Sequence, residues 1–315
     1  MAIAGTNLPL DATEGMDKIT TVEKVTSPYF SDGSETLLGA SVVTSSLSDT
    51  NEKYFFGISN SSTPTTEEFN VAFGSTRGYG ALVESNTKSE TEAIYKQFAS
   101  LLLPATEVTG GFIISNNNSL STTPTNASVA SGAKDTEIFI LSARRTNMKD
   151  RINKGTWTIT LSGSLTNGED GAPKLDLTDD SSNGTPTATP VGNRYNIVSG
   201  SSGTISGSGA SDRTYGWFYP DVGVMVFSAT ELSASIPGSG SQKNTECKFG
   251  PVTDVSANSG NNFRGFVWST DTNANEKTAL RFVNCLVPTG GKLSFRDEED
   301  QVSAQYFCRV RSGHC

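Results

Sequence analysis

The sequence predicts a mainly β protein of the α+β class, with two or more β-rich subdomains, a few short helices and an extended N-terminal arm. Only 35% of the 315 residues are hydrophobic and only 18% are charged. The 31 glycines, together with many Ser, Thr and Asn residues, suit short strands joined by tight turns. The 16 Phe, eight Tyr and three Trp residues argue against full disorder, because disordered chains carry few aromatic side chains.

Residues 1–30 are predicted to form the extended arm. Pro9 and Gly15 interrupt any regular pattern, and apolar residues are sparse. In an assembling protein such an arm commonly becomes ordered on a neighbouring subunit. We therefore place Tyr29 and Phe30, at the end of the arm, among the candidate interface residues.

The first subdomain, residues 31–162, is predicted to be α+β. Its strand-like segments are apolar runs between turn residues. They are Leu37–Val43, Tyr54–Ile58, Phe69–Phe73, Glu137–Ala143 and Trp157–Leu161.

A helix is predicted near residues 90–103 of this subdomain. Ser89 and Glu92 have the spacing of a capping box, and Pro104 ends the helix. Apolar residues then follow at helical spacing on one face, which should pack against a sheet. These residues are Ile94, Phe98, Leu101 and Leu102.

The most basic segment of the chain, Arg144–Ile152, is predicted to be a short helix or turn. It carries four positive charges, on Arg144, Arg145, Lys149 and Arg151. Such a cluster could bind an acidic neighbour or form a solvated face.

The second subdomain, residues 163–315, is predicted to be β-rich with Ser/Gly loops. Residues 163–192 contain several turn dipeptides. Four elements are expected after them. They are strands at Arg194–Gly200 and within Tyr215–Phe227, a helix at Glu276–Val287, and a strand at Gln305–Val310 after the acidic run Asp297–Asp300.

An aromatic cluster precedes the buried strand of this subdomain, and its members are candidate interface residues. They are Tyr215, Trp217, Phe218 and Tyr219. The cluster adjoins a continuous apolar run, which favours a core or a subunit interface. The alternative is a stacking platform for host surface glycans.

The sequence offers no catalytic, cofactor or metal site that we would assign. The only histidine is His314, so a Ser-His-Asp or Cys-His arrangement would depend on the end of the chain. Oxygen ligands from Asp176 to Asn183 could bind Ca²⁺, but the spacing of an EF-hand is absent and a solvated turn is favoured. Cys247, Cys285, Cys308 and Cys315 lack paired metal-ligand spacing and are expected to be buried thiols.

Charge and hydropathy limit the partners. The net charge is −9 and no run of Lys or Arg exists, which argues against nucleic-acid binding. No window approaches 18 consecutive apolar residues, and no signal peptide is evident, so no membrane insertion is expected.

Seven blocks, in order, resemble virion structural proteins of contractile-tailed marine cyanophages (myoviruses). They are Phe69–Gly74 (FNVAFG), Thr91–Leu103, Glu137–Leu161 (with a Gly-x-Trp strand), Leu177–Ser181, Arg194–Gly200, Tyr215–Phe227 and Phe295–Arg311. The order covers most of the chain and is more specific than any single block.

The resemblance implies a non-enzymatic structural subunit of a phage virion, most naturally of the tail or baseplate, assembled in the host cytoplasm. Its expected partners are other virion structural proteins and copies of itself. Two alternatives remain open: a receptor-binding or fibre-like module that contacts host glycans, and a neck or capsid-associated structural protein.

Overall fold

The computed structural model describes residues 18–38, 41–44, 55–60, 66–76, 78, 90–108, 111–114, 134–161, 175–206, 214–229, 231–232, 279, 282–283, 285–286 and 292–306. Within them it contains 16 strands and one regular helix, and every strand pair is antiparallel. The mainly β fold class predicted from the sequence is therefore confirmed.

Thirteen strands form the main sheet. Eleven of them are neighbours in the order β2-β15-β8-β9-β11-β13-β14-β6-β5-β4-β3, and β10 and β12 also pair with β11. Their bounds are β2 Thr36–Leu38, β3 Ser41–Thr44, β4 Phe55–Ser59, β5 Glu67–Ser75, β6 Glu137–Ala143, β8 Thr158–Leu161, β9 Leu175–Asp179, β10 Thr187–Thr189, β11 Gly192–Ser201, β12 Thr204–Ile205, β13 Gly216–Tyr219, β14 Val224–Ser228 and β15 Lys292–Ser294.

The main sheet curls so that its two edges approach each other. Strands β2 and β3 lie at opposite ends of the strand order, yet Leu38 and Ser41 are only three residues apart in the chain. Three trans peptide units span at most about 11 Å, which limits the separation of the two edges at this point.

The inner face of the curled sheet encloses the larger core. Alternate residues of β5 and β6, such as Phe69, Phe73 and Phe139, point into it. Helical residues from the segment 279–286 fill the interior, where Phe282 stacks on Phe139 at a ring distance of 5.0 Å. The helix expected at Glu276–Val287 is thus found where the structure describes it, and Cys285 within it is a buried thiol.

The outer face of the same strands is covered by helix α1, Glu90–Leu102. Ile94, Tyr95 and Leu102 are buried against the sheet, whereas Leu101 is 49% exposed. The predicted helix bounds are correct to one residue, but Leu101 does not belong to the buried face and Tyr95 does.

A smaller sheet has the order β1-β16-β7, with β1 at Lys18–Pro28, β7 at Arg151–Ile152 and β16 at Arg296–Tyr306. Strand β1 lies inside the segment predicted as an extended arm, and residues 18–28 pair with β16 of this chain's own fold. The closing strand predicted at Gln305–Val310 begins instead at Arg296 and includes the acidic run; residues 307–310 lie outside the described part.

The boundary predicted at residue 162 does not separate two sheets. Strand β6 pairs with β14, and β8 pairs with β15, so both predicted halves contribute to the main sheet. The segment Leu37–Val43, expected as one strand, supplies β2 and β3 at opposite edges. Local apolar runs identify strands, but they do not indicate which distant strands pair.

Candidate docking surface

The most exposed regular structure in the described residues is the two-stranded ribbon of β1 and β16. Its eleven residue pairs run in one unbroken register from Lys18 opposite Tyr306 to Pro28 opposite Arg296. Strand β7 covers the outer edge of β16 only at Asp297 and Glu298. We call the part next to Pro28 and Arg296 the base of the ribbon, and the part next to Lys18 and Tyr306 its tip.

Hydrogen bonds at the base show which backbone groups face outwards. The carbonyl groups of Arg296 and Glu298 accept from Asn153 and Asp150 on the β7 side, and the Asp300 N–H donates to the Asp150 carboxylate. Even-numbered residues of β16 therefore point their backbone groups away from β1. Because the pattern alternates along an antiparallel pair, even-numbered residues of β1 point theirs to its open edge.

Large apolar side chains are exposed on one face of the tip. Val22 and Val302 are directly opposite each other and are 60% and 66% exposed, and Tyr306 is 69% exposed. These three, with Leu101 of α1, are the large hydrophobic side chains that the described part of the chain exposes. On the opposite face, a hydrogen bond of 2.6 Å joins the Thr21 and Ser303 hydroxyls. We call the face of the tip that carries Val22, Val302 and Tyr306 its apolar face.

The ribbon is anchored at its base by aromatic side chains that follow β1. Tyr29 and Phe30 are buried in the inner core, where both contact Phe69 and Phe295. The Tyr29 hydroxyl donates to the Glu68 carbonyl at 2.8 Å and accepts from the Arg144 N–H at 3.1 Å. Burial raises the pKa of Tyr29 well above its usual value, so the phenol is neutral.

A buried carboxylate holds the turn that follows these aromatics. Glu68 is fully buried, and its carboxylate accepts from the Ser31 N–H at 3.2 Å and from the Ser31 hydroxyl. The Asn147 side-chain amide donates to the same group at 2.5 Å. Glu68 therefore links β5 to the turn after β1 and to the basic segment.

The acidic run and the basic segment meet at the base of the ribbon. Arg151 forms ion pairs with Asp300, with Glu298 at 3.4 Å and with Asp221 at 3.6 Å. Lys24 of β1 also reaches Glu298, at 3.2 Å. The acidic neighbour suggested for Arg144–Ile152 is thus a segment of the same chain.

Two further groups complete this network. The Lys149 ammonium lies 2.9 Å from the Glu299 carboxylate, and this hydrogen bond lowers the pKa of Glu299. The Asp297 carboxylate accepts from the Lys149 N–H at 2.6 Å. Burial nevertheless raises the pKa of Asp297. The base of the ribbon is therefore held by charges and backbone bonds, whereas no described residue of the body covers the tip.

All six candidate interface residues predicted from the sequence are buried inside the chain. They are Tyr29, Phe30, Tyr215, Trp217, Phe218 and Tyr219. Trp217 is only 1% exposed, and the Arg194 guanidinium lies over its ring at 3.8 Å while pairing with Glu107 at 2.9 Å. As core residues, they present no surface for a neighbour or a stacked sugar in this conformation.

The carboxylates of the Asp176–Asn183 segment accept hydrogen bonds within the fold. Asp179 accepts from the Gly155 N–H at 2.7 Å and from the Ser181 N–H at 3.0 Å. Asp180 accepts from the backbone and side chain of Asn196, and burial raises its pKa. Among the described residues no group of three or more His, Cys, Asp or Glu is placed to hold a metal ion.

A half-open cleft of about 680 Å³ lies beside α1. Its polar lining includes Lys96, Gln97, Ser100 and Lys134. Of these, Lys96 is already paired with Glu92 one turn away.

Comparison with protein-family models, with curated proteins and with solved structures finds no significant match to this chain. Among the described residues, no helix is both long and apolar enough to cross a membrane.

Sequence reasoning missed the exposed residues of the tip. The signal was present but weak, because Thr20–Thr26 alternates only partly between apolar and polar residues. Such a pattern fits an exposed strand as well as an irregular segment. Strand assignment here required the pairing partner, β16.

Proposed function

We propose that this protein is a non-enzymatic structural subunit of a tailed-phage virion, most naturally of the tail or baseplate, which works through contacts between subunits. The observation that carries this proposal is the ribbon tip. A two-stranded ribbon is at best marginally stable by itself in water. One that also exposes Val22, Val302 and Tyr306 is suited to being covered by a neighbour.

The sequence resemblance over residues 69–311 supports the same function independently. The resemblance suggests the kind of particle, a tailed-phage virion, whereas the ribbon suggests how the subunit contacts its neighbours. Residues 18–28 of the predicted docking arm belong to this ribbon. The docking role is therefore assigned to the exposed tip, and Tyr29 and Phe30 serve to anchor it.

The test is incorporation of charged variants into particles. Val302→Asp places a carboxylate in the apolar face of the tip, where a neighbour would have to desolvate it. We expect incorporation to fall at least tenfold, since about 1.4 kcal/mol suffices for that factor. Leu101→Asp is the matched control, because Leu101 is also apolar and exposed but lies on α1.

Both variants should keep the melting temperature of the wild type, since neither side chain is buried. Particles that incorporate Val302→Asp as well as they incorporate Leu101→Asp would contradict the docking role of the tip. If neither variant is incorporated, the ribbon tip is not the specific contact surface.

A further inference from the structure

The outer edge of β1 is the longest open strand edge in the described part of the fold. The main sheet ends in β2, with three residues, and β3, with four, whereas β1 has eleven. Proteins usually protect long edges with bulges, prolines or charges. The β1 ladder contains no bulge, its one proline, Pro28, lies at the base, and its only charged residues are Lys18, Glu23 and Lys24. An edge of this kind can accept another strand.

The charges of the ribbon tip also permit a close approach between copies. The protein as a whole has a net charge of −9, but β16 carries no charged residue from Gln301 to Tyr306. Strand β1 carries two lysines and one glutamate, Lys18, Lys24 and Glu23. The tip is therefore the part of the ribbon at which two acidic copies repel each other least.

We propose that β1 pairs edge to edge and antiparallel with β1 of a second copy, in the register that sets Val22 opposite Val22 of that copy. This inference rests on the proposed function, since it takes association as the protein's task. Thr20, Val22, Lys24 and Thr26 point their backbone groups to the open edge. The register places Val22 opposite Val22, Thr20 opposite Lys24 and Thr26 opposite Lys18, as hydrogen-bonded pairs about a twofold axis require.

Charge selects this register over its neighbours. A shift of two residues towards the tip would set Lys18 opposite Lys24 of the second copy. A shift of two residues towards the base would set Glu23 opposite Glu23. Like charges directly opposite each other destabilise a strand pair. The register centred on Val22 instead places Lys24 opposite Thr20, and Glu23 opposite Thr21.

The contact area predicts a weak dimer. Nine paired residues span about 30 Å, and an edge about 10 Å thick buries on the order of 300 Å² for each copy. Stable interfaces bury about 800 Å² for each partner. The pairing should therefore be seen at high protein concentration, or where other contacts in an assembly hold two copies together.

Disulfide trapping tests the register. Residues opposite each other in a hydrogen-bonded pair have Cα atoms about 5.5 Å apart, within the range of a disulfide. The Val22→Cys variant should form a cross-linked dimer under mild oxidation, with mass spectrometry locating the link at position 22 of both copies. Thr20→Cys is the matched control, since the two copies of residue 20 would be about 13 Å apart along the strands.

Proline substitution at adjacent threonines tests the edge itself. Thr20→Pro removes an N–H that faces outwards, whereas Thr21→Pro removes one that bonds to β16. We expect Thr20→Pro to keep the ribbon, as judged by hydrogen exchange, and to weaken self-association about tenfold in sedimentation equilibrium, because the twofold axis removes the bond twice. Thr21→Pro should instead open the ribbon.

Three results would overturn the inference. The first is a wild type that stays monomeric up to millimolar concentration, together with a Val22→Cys variant that forms no cross-link. The second is trapping of Thr20→Cys as efficient as that of Val22→Cys, and the third is a dimer that Thr20→Pro leaves unchanged.

The outcomes for the two proposals can be told apart. If Val302→Asp abolishes incorporation into particles while the wild type never self-associates, the proposed function stands and another subunit covers the tip. If neither effect is seen, both proposals fail.

Discussion

The main sheet and the ribbon use the same antiparallel pairing but differ in what covers them. In β6, six of seven residues are buried, because the inner core lies on one face and the α1 layer on the other. In β16, all residues from Gln301 to Tyr306 are exposed. The exposed tip of the ribbon therefore gains little free energy from burial of its own side chains. The free energy that holds it comes from the contacts at the base of the ribbon.

The largest expected effect follows from the inner core. Trp157 is fully buried, stacks on Phe295 at a ring distance of 5.8 Å and meets Phe218 edge-on at 5.3 Å. Trp157→Ala should lower the free energy of unfolding by about 3–5 kcal/mol, measured by urea denaturation. Val302→Ala in the ribbon tip is the comparison, and it should change that free energy by less than about 0.5 kcal/mol.

If both variants lower the free energy of unfolding equally, covered and uncovered strands do not differ in how much their side chains stabilise the fold. A large loss for Val302→Ala alone would mean that the tip packs against the body. Hydrogen exchange would separate these cases, since amides of the tip should exchange much faster than those of β6.

A smaller effect is expected at the base of the ribbon. Arg151→Met keeps an apolar stem but removes the charge next to Glu298, whose side chain is only 5% exposed. The free energy of unfolding should fall by about 1–3 kcal/mol, since a mostly buried carboxylate loses a partner. Lys96→Met is the control, because the exposed pair with Glu92 on α1 contributes only about 0.3–0.5 kcal/mol.

The Arg151→Met variant should also speed hydrogen exchange along β1 and β16 without affecting β5 and β6. If both sheets respond equally, the network at the base belongs to the body and does not anchor the ribbon. If Lys96→Met lowers the free energy of unfolding as much as Arg151→Met does, the burial of Glu298 does not strengthen its ion pair with Arg151.

The smallest expected effect is a pH dependence. Burial raises the pKa of Asp180 above its usual value of 3.8. As the pH falls, a carboxyl with a raised pKa is protonated in the folded state at a higher pH than in the unfolded state. Its contribution to stability is therefore complete below the unfolded-state pKa, and it is lost as the pH rises through the folded-state pKa. Relative to Asp180→Asn, the wild type should therefore gain stability as the pH falls from neutral into the acid range.

Asp32 provides a control of opposite sign. The Ser34 side chain and N–H hold the pKa of Asp32 below its usual value. The wild type should therefore lose stability relative to Asp32→Asn over the same acid range, as measured by urea unfolding at each pH. Parallel curves for Asp180→Asn and Asp32→Asn would contradict both assignments.

The sequence was informative where structure is local. The capping-box spacing of Ser89, which itself lies outside the described residues, and the spacing of apolar residues located α1. The continuous apolar run of residues 137–143 located β6. The class of the fold followed from composition. These signals need no knowledge of distant residues, which explains why their bounds are nearly correct.

Features that depend on distant pairing were not predictable. Nothing in residues 18–28 indicates that they pair with residues 296–306 at the other end of the sequence. The composition of the aromatic cluster fitted either a core or a subunit interface and could not decide between them. Trp217 and Tyr219 are buried in the core, where the Arg194 guanidinium lies over the Trp217 ring.

The pairing of β1 with β16 has a consequence for the order in which the protein is made. Strand β1 precedes every strand of the main sheet in the chain, but its partner β16 follows them all. Strand β2 likewise precedes its partner β15 by most of the main sheet. The nascent chain therefore carries an unpaired β1 until β16 has been synthesised, and contacts so distant in sequence make folding slow. Yield of folded protein should depend on chaperones that shield β1 until β16 has left the ribosome.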